Sequence, residues 1–576
     1  MKRFTTRLQW LVGISFGAFL VVACAAPTRV FVTQTLEQAF TGTPRGSVAQ
    51  QEAREKSFVI SHQADSDVQV ARLMILWRGP SSSAAFPGGP QSVSEGEIFA
   101  QGDKLIQEFP TSPAVYANVL RAECDRIRTI EWRAQEIRSI EGNNKVDFPL
   151  PDASTLKDIN DFISQGKTAE RLDPHNAYFP MMVAVGYYAA HEDDQAQAAL
   201  LAGANDTDWR EYLSVDVTGE RKIFAGESEF SDEPDGLDSV GIECYILLPE
   251  YSDIRSAARM AVWNAGQLEA SGDTDKGIRL RSALVHYGSL MRYYGRIVIT
   301  NLVGIAVSNV AIDRPAGVNN LSFDNNLPED RRYPDLIERR LAAYKSFVLS
   351  HGQAPQASYA AQELAVGQNF GHSYTMQADN ISEIRTLKAD VILEIIGILE
   401  IGWVLLIGCL SAVLITAIGL FRSVRAKKFN GGAAAKAAVF VLSALLLALV
   451  SMNIVHLDTV LRTPGIYDQT TFQYIPTEAA VVVFSPFALF IVMAMLVALV
   501  RRKKVTRSLV SSSLTAAVPC MCLLLLLFTG STLWRARVDG KIQHESIMRR
   551  SIGEGQYVFQ KAHIAWPALV TEPVQR

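Results

Sequence analysis

Four stretches of this chain, residues 401–421, 437–455, 479–500 and 509–533, are long, rich in Leu, Val and Ala, and carry no charged side chain near their middles. Segments of about 19–25 such residues match the hydrocarbon thickness of a bilayer. In lipid the backbone N–H and C=O groups have no partners outside the segment, so each stretch is predicted to be a membrane-spanning helix. A bundle of four transmembrane helices over 391–534 is therefore expected. Orientation follows from Lys and Arg in the short loops. "RSVRAKK" (422–428) and "RRKKVTR" (501–507) are basic and are expected in the cytoplasm, whereas the loop 456–478 has only Arg462 and is expected outside. By alternation, the region before the first span lies outside the cytoplasm. The tail 535–576 is then also external, despite Arg535, Arg537, Arg549 and Arg550.

The spans contain little that could do chemistry. Glu394 and Glu400 precede the first one, at the level of the outer head groups. Asn453, Ser411 and Thr416 suit hydrogen bonding between helices, and Cys409, Cys520 and Cys522 act as small apolar residues. Pro486 and Pro519 are expected to kink their helices.

The chain begins "MKRFTTRLQWLVGISFGAFLVVACAAP", a basic head, an apolar run and small residues, the layout of a bacterial export signal. Three fates compete for residues 1–26. Val21-Val22-Ala23-Cys24 is similar to a lipobox, in which Cys24 would be lipidated. Ala23-Cys24-Ala25 fits a cleavage site. The run is also just long enough to remain as an anchor. The expected location is the bacterial cytoplasmic membrane, multi-pass, with a large domain outside.

Residues 27–390 read as an ordinary globular region, predominantly α. "RLDPHNAYFPMMVAVGYYAAHEDDQAQAALLAGA" (171–204) gives the clearest signal. Val183, Ala184 and Tyr187 stand at large, small and aromatic positions of a first helix. Ala196 and Leu200 stand at small and large positions of a second. "HEDD" (191–194) is the polar turn between them, expected to be solvated. This spacing resembles the tetratricopeptide repeat, a helical hairpin of about 34 residues, with Ala169 and Pro174 closing a preceding repeat. There are two departures: Pro180 stands where an aromatic is usual, and Gly203 replaces the last alanine.

Weaker echoes occur at 102–127, at 257–291 with a Gly-Asp turn, and at 335–350 paired with 356–370. Loops are expected at 79–92, 146–154, 218–241 and 312–334. The fold class expected is mainly α, an irregular tetratricopeptide-like helical-hairpin domain. A generic helical domain is the alternative. From Ser373 a helical run is expected to continue through Asp390 into the first span.

Catalytic patterns are missing. The nine histidines never take metal-ligand spacing, and HExxH and the phosphate-cradling GxxxxGK sequence are absent. "SDEPDGLD" (231–238) lacks the spacing of a calcium loop. No metal, nucleotide or other cofactor is expected, and no enzyme activity. A net charge of −4 gives no reason to expect nucleic acid as a partner. Cys124 and Cys244, outside the cytoplasm, could form a disulfide; two buried thiols are the alternative. Trp209, Trp263 and "HYGSLMRYYGR" (286–296) are expected in the core. Repeat scaffolds work by recognition, so the repeat-like domain implies a membrane-anchored scaffold that binds envelope proteins or peptides. The rival class is transport: one anchor, a large external domain and a cluster of spans resemble the topology of FtsX- and MacB-type permease subunits.

Overall fold

The computed structural model describes residues 48–78, 95–127, 129–139, 148–227, 248–318, 326–380 and 551–570, with isolated positions at 321, 324, 537, 540, 544, 548 and 549. Among these the secondary structure is helical, and the one β-type pairing is an isolated bridge between Asn176 and Asp208. No helix among the described residues is long and apolar enough to cross a membrane. The four apolar stretches, the export-type segment with Cys24, Cys244 and the acidic loop 231–238 all lie outside the described residues.

The chain folds as successive helical hairpins with punctuated turns. Helices α1 (Val48–Ser61), α2 (Ser66–Arg78), α3 (Glu95–Glu108) and α4 (Pro113–Glu123) open the domain. Ser112 caps α4, its hydroxyl accepting from the Val115 N–H, with Pro113 in the first turn, where its missing N–H costs no hydrogen bond. Helices α5 (Thr129–Ser139), α6 (Ala153–Leu172), α7 (Tyr178–Ala189), α8 (Asp193–Ala202) and α9 (Leu213–Glu227) follow. Then come α10 (Glu250–Ser271), α11 (Thr274–Tyr294), α12 (Val298–Ala311), α13 (Glu329–Ser350) and α14 (Ala354–Asn380), and a C-terminal helix α15 (Glu554–Lys561). Gly272 ends α10 with φ 98°, a left-handed conformation that favours glycine.

One large core joins α4 to α8 with α10 to α14, and a smaller one fills the space between α2, α3 and α4. Helices α11 and α12 pack against each other along their lengths. A Cβ on Gly288 would meet the Gly304 carbonyl oxygen at 2.5 Å, and one on Gly304 would meet the Gly288 carbonyl oxygen at 2.6 Å. Only glycine at both positions lets the two backbones touch.

Two loop expectations are corrected. The expected loop 218–241 is helical over its first ten residues, because α9 runs to Glu227. There α9 lies on α2, and at Gly219 the Asp67 carbonyl comes so close that no side chain would fit. Similarly, α13 starts at Glu329, and Pro334 sits inside it, past the first turn, so the Asp330 carbonyl loses its intrahelical N–H donor.

Candidate functional site

The hairpin α7–α8 places all five repeat positions in the main core: Val183, Ala184, Tyr187, Ala196 and Leu200 are buried. The two departures from the repeat pattern turn out to be neighbours. A Cβ on Gly203 would clash with the Tyr287 hydroxyl and would meet Pro180 Cγ at 2.5 Å. That hydroxyl donates to the Leu200 carbonyl at 3.2 Å, so the missing methyl of Gly203 makes room for the contact that ties this hairpin to α11.

The turn 191–194 is not simply solvated, which corrects the sequence reading. Arg133, buried on α5, donates to both carboxylate oxygens of Asp193 at 3.1 and 3.3 Å and to the Tyr188 carbonyl. Asn264 on α10 donates to the same carboxylate at 3.2 Å. His191, at φ 64°, packs edge-on to Phe148. Burial, with the Arg133 charge beside it, pulls its imidazole down to about 4.

Two further features were not anticipated. The first is a buried polar junction. Arg121 donates from Nε to Glu250 at 2.8 Å, from Nη1 to Asn118 and from Nη2 to the Glu211 carbonyl at 2.7 Å. The Glu211 carboxylate accepts from Trp209 Nε1 at 2.9 Å, Tyr251 at 3.0 Å and Thr300 at 2.9 Å. Burial raises both carboxyls above the usual range, opposed by Arg121 and by these donors. Every one of these side chains is buried. The junction joins α4, α10, α12 and the segment before α9, and it offers a substrate no opening. Cys124 and Trp209 lie in the same core.

The second is a groove formed by α11, α12 and α14, filled by the chain's own residues 551–570. The segment enters along the start of α12: Arg296 Nη1 donates to the Ser551 carbonyl at 3.0 Å, and the Glu554 N–H donates to the Arg296 carbonyl at 2.7 Å. The Glu554 carboxylate accepts from the Val298 N–H at 3.1 Å, a favourable place for an anion at the N-terminus of α12. Phe559 on α15 stacks on Phe370 of α14 at 5.3 Å, and Trp566 meets both rings edge-on at 5.3–5.4 Å.

Beyond α15 the segment carries no regular secondary structure and is held by its main chain. Arg292 Nη2 donates to the Ala568 carbonyl at 3.1 Å, and Ser289 Oγ donates to the Val570 carbonyl at 3.1 Å. Successive contacts to residues i and i+2 are the register of an extended peptide on one face. Arg292 is itself fixed by a two-point pair with Glu363, at 2.7 and 2.9 Å, in which both side chains are fully buried. Leu569 and Val570 pack against the main core. The signal in the sequence was present: Tyr557, Val558, Phe559, Trp566, Leu569 and Val570 are too apolar for a free tail.

Among the described residues no group of three metal-ligating side chains converges. Neither a protein-family model, nor a curated protein, nor a solved structure matches this chain.

Proposed function

We propose that the chain is a membrane-anchored scaffold of the bacterial cell envelope, whose tetratricopeptide-like helical-hairpin domain binds proteins or peptides. On this reading an N-terminal signal or anchor (1–26) and four spans within 391–534 hold the domain on the outer side of the cytoplasmic membrane. No reaction is assigned to it. The observation that supports recognition is the groove of α11, α12 and α14: it takes an extended segment through donors aimed at main-chain carbonyls and through an aromatic seat. Donors to the main chain supply affinity without fixing side chains, and the ring pocket supplies selectivity.

The test uses the full-length chain in detergent carrying Trp566→Ala, which weakens its own occupant. A fluorescent peptide with the sequence of residues 551–570 is titrated in. Saturable binding to this variant, weaker to the unsubstituted chain and weaker again when Ser289→Ala is added, is the expected result. No saturable binding, with helical circular dichroism unchanged, would overturn the reading.

A further inference from the structure

We propose that the N-terminal end of α12 and the turn before it rest on the lipid surface of the membrane, so that the helical domain is seated against the bilayer by Ile299, Leu302, Tyr293, Tyr294 and Arg296. The inference rests on the reading of 401–533 as membrane spans. It adds where the domain meets that membrane.

Helix α12 has no charged residue, and its outward face presents Ile299, 50 % exposed, and Leu302, 42 % exposed. At i and i+3 they share one face. Single exposed apolar residues are ordinary, but these two continue into a turn of interfacial character. Tyr293 and Tyr294, both partly exposed, contact each other at 4.8 Å. Arg296 is exposed beside them and donates to the Ser551 carbonyl. Aliphatic side chains flanked by tyrosines and an arginine are the composition of membrane–water interfaces, where an arginine stem lies along apolar surface and its head reaches the phosphates.

The chain also leaves the domain at this end. Helices α12 and α14 pack against each other. Ile305 lies beside Gly367, while Asn301 lies by Gly555 and Trp566, and Trp566 lies against Phe370. The two helices are therefore antiparallel, and the end of α14 near Asn380 projects past the start of α12. Residues 551–554 arrive at that same end. Everything between 380 and 551, with all four apolar stretches, thus leaves from and returns to the end of the domain that carries Ile299 and Leu302. The opposite end is available as an internal control. Leu349, 51 % exposed, closes α13 next to the start of α14, about 20 Å further along that helix from Gly367 at 1.5 Å per residue.

The test is photocrosslinking of the full-length protein in phosphatidylcholine–phosphatidylglycerol liposomes, with a diazirine side chain placed at position 299, 302 or 349. All three are surface positions, so the core is untouched. Mass spectrometry is expected to find phospholipid adducts at 299 and 302 about tenfold above 349, since carbenes facing bulk solvent are consumed by water whereas those set at the acyl boundary also meet lipid C–H bonds. Adducts to residues 381–550 or to a second copy would overturn the proposal by naming another occupant. Water insertion at 299 and 302 equal to that at 349 would overturn it as well. Flotation of the same samples separates the two levels. Protein that floats without lipid adducts defeats this inference alone, whereas protein that does not float defeats the membrane reading and this inference together.

Discussion

Substituting Phe559→Ala should release the C-terminal segment while leaving the hairpins folded. Phe559 is 2 % exposed and seated between Phe370 and Trp566. Truncating a buried phenylalanine typically costs about 3–5 kcal/mol through lost burial and a residual cavity. The α15 segment is joined to the domain by groove contacts, with no helix of the domain running through it, so the cost is expected to fall on its docking. A loss of about 3 kcal/mol in a local opening free energy speeds exchange more than about 100-fold.

The assay is amide hydrogen exchange on the full-length protein in detergent. It reads Tyr557, Ala562 and Ile564, whose N–H groups donate to Gly553, Val558 and Phe559, against amides of α7 and α8. Exchange should accelerate in 551–570 and change little in α7 and α8. Gln560→Ala, at an exposed position of the same helix, should stay within about 0.5 kcal/mol. Equal acceleration in α7 and α8 would refute local docking. No acceleration anywhere, or the same response from Gln560→Ala, would refute the packing argument itself.

Three further outcomes are expected. Gly203→Ala, which drives a methyl into Pro180 and the Tyr287 hydroxyl, should lower stability by about 1–3 kcal/mol, whereas Gly371→Ala, with open space around it in α14, should raise stability by about 0.5–1 kcal/mol; thermal unfolding of the two variants checks the opposite signs. Asp193→Ala removes the carboxylate from buried Arg133 and should cost about 1.5–3 kcal/mol, the range for hydrogen bonds to charged groups; a denaturant midpoint equal to that of the unsubstituted chain would count against the pair. Burial, with Glu170 nearby, lifts the Asp206 carboxyl from 3.8 to about 6. Within that window the folded state keeps a proton that the unfolded chain has released, so stability falls as pH rises. Asp206→Asn should remove this slope, and its melting temperature should gain on that of the unsubstituted chain between pH 4 and pH 7.

Local signals carried much of the domain. Ser112 before Pro113, Gly272 before Asp273 and Gly352 between α13 and α14 all mark turns through backbone preferences that act within a few residues. Where the reading failed, a distant contact had decided. "TGERKIFAGE" (218–227) reads as a loop because Thr218 and Gly219 are poor helix formers, yet it is helical because α2 lies against it and needs Gly219 small. The same holds for Asp193, which looks like a solvated turn residue until Arg133, sixty positions earlier, is brought beside it.

The candidate groove was illegible for a related reason, and the buried arginine in it explains why its occupant matters. Periodicity places Arg292 on a helix, inside a cluster that reads as core. It cannot say that the guanidinium is fully buried and therefore needs several acceptors at once. Glu363 takes two of its N–H directions, and one of the same nitrogens is shared with the Ala568 carbonyl, 276 positions away. A hydrophobic pattern encodes which face is covered and leaves out which carbonyl a buried charged donor meets. The tail is too apolar for solvent, and the arginine is too polar for a core. Each is the other's explanation, because burying the guanidinium requires an acceptor that solvent does not supply, and holding an extended tail requires a donor that its apolar side chains cannot provide.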